Sequence, residues 1–133
     1  MARLREAGVD NILTLSLQPL PAKSIAHADL TCRHIPVRDF RAPAAEQLVE
    51  AVAWLDQQLD IGKVVFVHCG GGRGRTGTVL AAWLIAHGKT AQEAVAEVRR
   101  VRPGAVETRG QHAALHRFAS SQEVAKARNS AVR

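Results

Sequence analysis

The feature that most constrains this chain is a sequence of three characters between Lys63 and His87. Residues 64–67 read Val-Val-Phe-Val, an unbroken apolar run. So short a run, rich in β-branched residues, reads as a strand buried on both faces, as in a parallel sheet. The strand is expected from Lys63 to His68, and residues 69–74, Cys-Gly-Gly-Gly-Arg-Gly, must be a loop. A helical pattern then runs from Arg75 through Trp83 to His87, and Gly88 stops it. A strand, a glycine-rich loop and a helix in that order call for an α/β layer fold.

The same punctuation divides the rest of the chain. Arg3 to Ala7 reads as a helix tail stopped by Gly8. Asp10 to Leu17 reads as a strand that ends before Pro19 and Pro21, and residues 18–28 as a loop. Asp29 to Val37 alternates well enough for a second strand, with residues 38–42 as the loop after it. Pro43 suits the first turn of a helix that carries Leu48, Val52, Leu55 and Leu59 at helical spacing. Thr90 and Glu93 form a capping box for a helix ending near residues 102–104. A last helix starts near Thr108 and runs into the 120s, and residues 121–133 are expected to fray. There is no repeat, low-complexity block or linker, so the 133 residues read as one domain with its core over about residues 8–120. Alternating strands and helices imply a mainly parallel sheet flanked by helices. Ligands in such sheets sit at the carboxyl ends of the strands. Residues 69–74 are expected to leave that end of the most buried strand.

Composition narrows the function. Hydrophobic residues are 47% and charged residues 23%, which suits a globular domain able to bury its own core. No apolar run approaches the ~18 residues of a membrane span. The N-terminus lacks an apolar signal core, so a cytoplasmic location is expected. Two cysteines make no disulfide framework and lack zinc spacing, so each is core filler or chemistry. Cys32, inside a strand, reads as filler. Lys and Arg total 18 against 12 Asp and Glu, and the resulting +6 attracts anions: nucleic acid, phospholipid or phosphorylated substrates. The densest basic run, Arg99, Arg100 and Arg102, ends a helix and there complements its dipole. With no basic arm, no stable nucleic-acid partner is expected.

The loop itself admits three readings. A nucleotide-binding loop of the G-x-x-x-x-G-K-[ST] type fails for want of the lysine that contacts phosphate. Gly72 to Gly77 matches G-x-G-x-x-G, but a dinucleotide fold needs a further strand after the helix, and Thr90 to Val101 is helical. The third reading is Cys69, five residues and Arg75, a C-x5-R phosphate cradle. Gly70, Gly71, Gly72 and Gly74, with Arg73 among them, let the backbone turn its N–H groups inward at a helix N-terminus. Arg75 can grip two phosphoryl oxygens as a fork. The same donors favour a thiolate at Cys69, so the anion site also activates a nucleophile. Thr76 can donate its hydroxyl to the sulfur, and His68 can orient the loop by a hydrogen bond toward the Cys69 backbone. Asp39, in the loop after a strand at the same sheet end, is the candidate general acid.

These residues, H-C-x5-R-T-G over 68–77, resemble the signature of the cysteine-based protein tyrosine phosphatases. The rest is similar to the small, atypical dual-specificity phosphatases. IPVRDFRAP at residues 35–43 resembles their acid loop, and VRRVRPGAVETRGQ at residues 98–111 resembles the segment after the signature helix. The resemblance implies a four- or five-stranded sheet flanked by helices, no metal and no cofactor. It implies hydrolysis of phosphotyrosine, and more slowly of phosphoserine and phosphothreonine, through a phosphocysteine at Cys69. Asp39 then protonates the leaving group, and Gln111 or Glu107 positions the hydrolytic water. Members of the family usually carry a further N-terminal strand before the point that corresponds to Met1. The expected partners are a phosphorylated protein or a small phosphate ester, with an anionic lipid as a further candidate. The basic Arg73 resembles that of phosphoinositide phosphatases, so a phosphoinositide or polynucleotide phosphatase using the same residues is the alternative. A non-catalytic phosphate-binding module is the third reading.

Overall fold

The computed structural model describes residues 2–70 and 73–132, with side chains of the last helix described to residue 122. Three strands make one parallel sheet: β1 (Asn11–Thr14), β2 (Thr31–His34) and β3 (Val65–His68), in the order β2-β1-β3. Helices α1 (Ala2–Glu6), α2 (Ala22–His27), α3 (Ala45–Asp60), α4 (Gly74–Ala86), α5 (Ala91–Val101) and α6 (Arg109–Val132) surround it. The mainly parallel α/β class is as the sequence implies. The strand count is three among the described residues, not four or five. The higher count came from family likeness, whereas the residues themselves offer only three short β-rich runs.

β1 is the central strand and is buried at all four positions. β3 lies at an edge, with Phe66 39% exposed and Val64, just before the strand, 49%. The expectation that 64–67 form the most buried strand is therefore overturned. An unbroken apolar run shows that both faces are apolar, but it does not count the neighbours in the sheet. One face of the sheet holds the large core, where Leu13, Leu15, Leu48, Leu55, Val79, Ile85, Leu115 and Phe118 meet. On the other, Val9, Ile12 and Leu30 form a smaller cluster with Leu4 and Ile25 from α1 and α2. Phe66, the register partner of Ile12, is left partly uncovered on that face.

Three helix boundaries differ from the sequence reading. α2 occupies part of the loop expected at residues 18–28, starting after Pro21, whose φ of −58° is already helical. Six residues are too few to show a 3.6-residue period. Pro43 stands before the cap of α3 rather than in its first turn; Ala44 is the cap, and its N–H donates to Gln47 Oε1 at 2.9 Å. α6 continues as backbone helix to Val132, beyond the 120s. The Thr90 capping box of α5 is present, with Glu93 N donating to Thr90 Oγ1 at 3.1 Å and Thr90 N to Glu93 Oε1 at 2.9 Å. Such a cap contributes about 1 kcal/mol.

What positions the site is the register. Thr14 pairs with His34 on one side and His68 on the other, so all three strands end level. Past that line the chain after β2 stays tied to β1: Ile35 N donates to Thr14 O at 3.0 Å and Val37 N to Leu15 O at 2.9 Å. The loops carrying Asp39 and Cys69 thus leave the same edge of the sheet.

Candidate active site

Cys69 follows β3 directly and is 2% exposed. The strand end before it is fixed by Leu15 N, which donates to His68 O at 2.7 Å. Gly70 has φ +92°, a conformation that favours glycine, and this lets the chain turn away from the strand at once. Gly71 and Gly72, expected in the phosphate-binding loop, lie outside the described residues. Arg73 caps α4, and its carbonyl accepts from Gly77 N at 2.9 Å. Its side chain runs along the 103–106 turn, with Nη1 3.8 Å from where a Cβ on Gly104 would stand. α4 approaches that turn so closely that a Cβ on Gly77 would lie 2.8 Å from the Ala105 methyl.

Arg75 sits in the first turn of α4 and is 7% exposed. Its guanidinium reaches back under the loop. Nη1 donates to Val37 O at 2.9 Å, and Nη2 donates to Cys69 O. The same Nη2 is 3.7 Å from Asp39 Oδ1. One buried cation therefore touches the backbone of the acid loop, the backbone of the nucleophile and the candidate acid. Arg75 Nε and Thr76 Oγ1 are buried without a hydrogen-bond partner among the described residues. An unpaired buried polar group costs about 1–3 kcal/mol, and phosphoryl oxygens are acceptors that relieve it. The hydrogen bond from Thr76 to the Cys69 sulfur is accordingly not formed in this structure.

Asp39 stands in a tight turn closed by Arg41 N donating to Arg38 O at 3.0 Å. Phe40, the next residue, adopts φ 63°, which is strained for a side chain of that size, and its N–H donates to Asp39 Oδ1 at 2.9 Å. The turn holds the Asp39 carboxylate, 61% exposed, beside Arg75 rather than against Arg38 or Arg41.

The His68 ring reaches the central strand. Its Nδ1 lies 3.3 Å from Thr14 Oγ1, which is 3.0 Å from Ser16 Oγ, which in turn donates to Gln18 O at 2.8 Å. The register that pairs Thr14 with His68 carries this chain, and no spacing in the sequence announces it.

Gln111 is fully buried. Its Oε1 accepts from Glu107 N at 2.8 Å and Thr108 N at 3.2 Å, and its Nε2 donates to Arg41 O at 3.1 Å. The amide thus fastens the acid turn to the start of α6. A signal was present: residues 111, 114, 115 and 118 are the buried positions of α6 and follow helical spacing. Glu107 is exposed, and its carboxylate lies against Gly74, where a Cβ would collide with Oε1. Gln111→Leu is expected to cost on the order of 1–3 kcal/mol for each backbone group it leaves unpaired, read as a lower Tm. A side chain that merely oriented water would instead slow phosphocysteine hydrolysis at unchanged Tm.

Among the described residues, no cluster of three or more His, Cys, Asp or Glu side chains can hold a metal ion. None of their helices is long and apolar enough to cross a membrane. Neither Cys32 nor Cys69 is in a disulfide.

This geometry has counterparts. A family model described as a polymorphic toxin system DSP-PTPase phosphatase matches residues 1–89. Phosphatidylglycerophosphate phosphatase PTPMT2 of Arabidopsis thaliana is 34% identical over 107 residues, 76% of this chain and 46% of that protein. Tyrosine-protein phosphatase CDC14 of Candida albicans is 31% identical over 108 residues, 80% of this chain and 20% of that protein. The chain spans less than half the length of these two relatives. Among solved structures, Tk-PTP in its active form matches with a TM-score of 0.83 and 36% identity, over 90% of this chain and 86% of that one. PTPMT1 in complex with PI(5)P has the same TM-score at 21% identity, over 95% of this chain and 87% of that one, a likeness of fold alone.

Proposed function

The chain belongs to the DSP-PTPase phosphatase family, and on that premise we propose that it hydrolyses phosphate monoesters through a phosphocysteine at Cys69. The observation that carries the proposal is the position of Arg75, in contact with the Cys69 carbonyl and 3.7 Å from Asp39. The Cys69 thiolate attacks phosphorus while Arg75 and the loop amides hold the equatorial oxygens. The ester P–O bond breaks, its electron pair stays on the leaving oxygen, and Asp39 supplies the proton. Water then attacks phosphorus, the S–P bond breaks, and the water proton passes to Asp39. Cys69 is again a thiolate and inorganic phosphate departs. A reducing compartment such as the cytoplasm suits a nucleophile of this kind.

Phosphotyrosine is the favoured protein substrate, with phosphoserine and phosphothreonine slower, because a phenoxide leaves more readily than an alkoxide. The exposed Asp39 and Phe40 support a shallow entrance that short side chains can use. A lipid phosphate is the second reading, favoured by the likeness to a phosphatidylglycerophosphate phosphatase and by the +6 charge. The test is acid quenching during turnover of a phosphotyrosine peptide, followed by mass spectrometry. A phosphoryl group is expected on Cys69. Steady turnover with no phosphoryl group on Cys69 under any quench would sink the mechanism.

A further inference from the structure

Beside the acid turn lies a second groove, separate from the Cys69 cradle. It has a volume of about 640 Å³ and is lined by Phe40, Arg41, Ala42, Thr108, Arg109, Gly110 and Arg117. Three of these residues carry a permanent positive charge, and none carries a carboxylate. No ion pair involves Arg41, Arg109 or Arg117 among the described residues. The nearby acids are turned elsewhere: Asp39 faces Arg75, and Glu107 lies against Gly74. Three exposed guanidiniums around one concavity, with no internal counter-charge, make a receptor for an anion with several acceptor oxygens.

The groove adjoins the reaction centre through covalent and hydrogen-bonded links. Phe40 directly follows Asp39, and its strained φ of 63° sets both the acid and the groove wall. Gln111 Nε2 bonds Arg41 O at 3.1 Å, and the same amide is 3.0 Å from where a Cβ on Gly74 would stand. One buried side chain therefore separates the first residue of α4 from the Arg41 wall. A substrate whose scissile phosphate sits over Cys69 leads its leaving group past Asp39, and the next two residues, Phe40 and Arg41, line this groove.

We propose that the groove lined by Arg41, Arg109 and Arg117 binds a second phosphate of the substrate, carried on its leaving group, so that the preferred substrate is a phosphomonoester bearing another phosphate. This rests on the phosphatase reading above and names the substrate class for that site. A lipid headgroup and a soluble bisphosphate share the required chemistry.

The experiment compares kcat/KM of the full chain on four substrates: p-nitrophenyl phosphate, glycerol 3-phosphate, phosphatidylglycerophosphate in vesicles, and the deacylated water-soluble form of that headgroup. The small aryl ester lacks a second phosphate and reports the cradle alone. The wild type is expected to prefer both two-phosphate substrates over glycerol 3-phosphate. In Arg109→Ala/Arg117→Ala that preference should fall by about tenfold or more, the size of a modest loss of charge-assisted binding. Turnover of p-nitrophenyl phosphate should change little. Arg109→Lys/Arg117→Lys should recover part of the preference, and added salt should erode it in the wild type. A preference shown by vesicles alone overturns the inference, because it locates the effect at the membrane surface rather than in the groove. An equal loss on all four substrates, or no loss on any, also overturns it. Failure of the wild type on p-nitrophenyl phosphate would instead remove the phosphatase reading itself.

Discussion

Replacing Cys69 by serine is expected to abolish turnover and to leave oxyanion binding intact. The substitution changes one atom at a position 2% exposed, so the packing around it is preserved. Arg75 keeps its acceptors, which are the backbone carbonyls of Val37 and Cys69 and do not depend on the sulfur. The loop therefore stays formed. What is lost is the nucleophile, since a serine hydroxyl is almost entirely un-ionised near neutral pH. Loss of a nucleophile typically lowers kcat by on the order of 10³-fold or more. Steady-state rates on p-nitrophenyl phosphate, paired with calorimetric titration of tungstate, separate the two properties. Residual turnover above about a tenth of the wild-type rate would show that bond formation to Cys69 is not needed. Normal turnover loss with no tungstate binding would mean that the cradle had collapsed instead.

The second large effect is expected from Asp39→Asn, and its size should depend on the substrate. A positioned general acid contributes roughly 10²–10⁴ in rate when the leaving oxygen needs a proton. An alkyl phosphate or phosphoserine peptide should lose about that much. p-Nitrophenyl phosphate should lose far less, because its phenoxide departs unprotonated. The side chain is 61% exposed and 3.7 Å from the guanidinium, so the lost ion pair matters little for stability, at about 0–1 kcal/mol. The carbonyl oxygen of the introduced amide can still accept from Phe40 N and hold the turn. The measurement is a series of aryl phosphates of graded leaving-group acidity, with log kcat/KM plotted against that acidity, because kcat/KM stops at formation of the phosphocysteine and leaves out the later step in which Asp39 accepts the water proton. The variant should show a steeper slope than the wild type. Parallel lines would remove Asp39 from proton transfer.

Much of this site was legible in the sequence because its parts are local. Cys69 to Arg75 is one strand end, one loop and one helix start, and each has its own residue signature. Asp39 could be placed with them because parallel strands bring their following loops to one edge. The sheet position of β3 was not legible, since neighbour number is a property of the assembled sheet. The link from His68 to Thr14 depends on register across 54 residues. The burial of Gln111 was not legible either. Its polar side chain suggested work in solvent, whereas its place in the buried stripe of α6 puts it inside the protein. Burial forces all its hydrogen bonds onto backbone, and those bonds hold the acid turn.

The level ending of the three strands gives the chain an uneven tolerance for changes in length. Residues 19–29, between β1 and β2, carry neither a residue of the cradle nor the bonds that tie Leu15 and Ser16 to it, so extra length there can be taken up on the surface. Residues 31–39 have no such slack. Deleting one residue from β2 would turn every following side chain to the opposite face and draw Asp39 back by about 3.3 Å. That shift is comparable to the whole separation between Asp39 and Arg75, 3.7 Å. Homologous chains that keep this chemistry should therefore vary freely in the span before β2 and hold a fixed count from β2 to the acid.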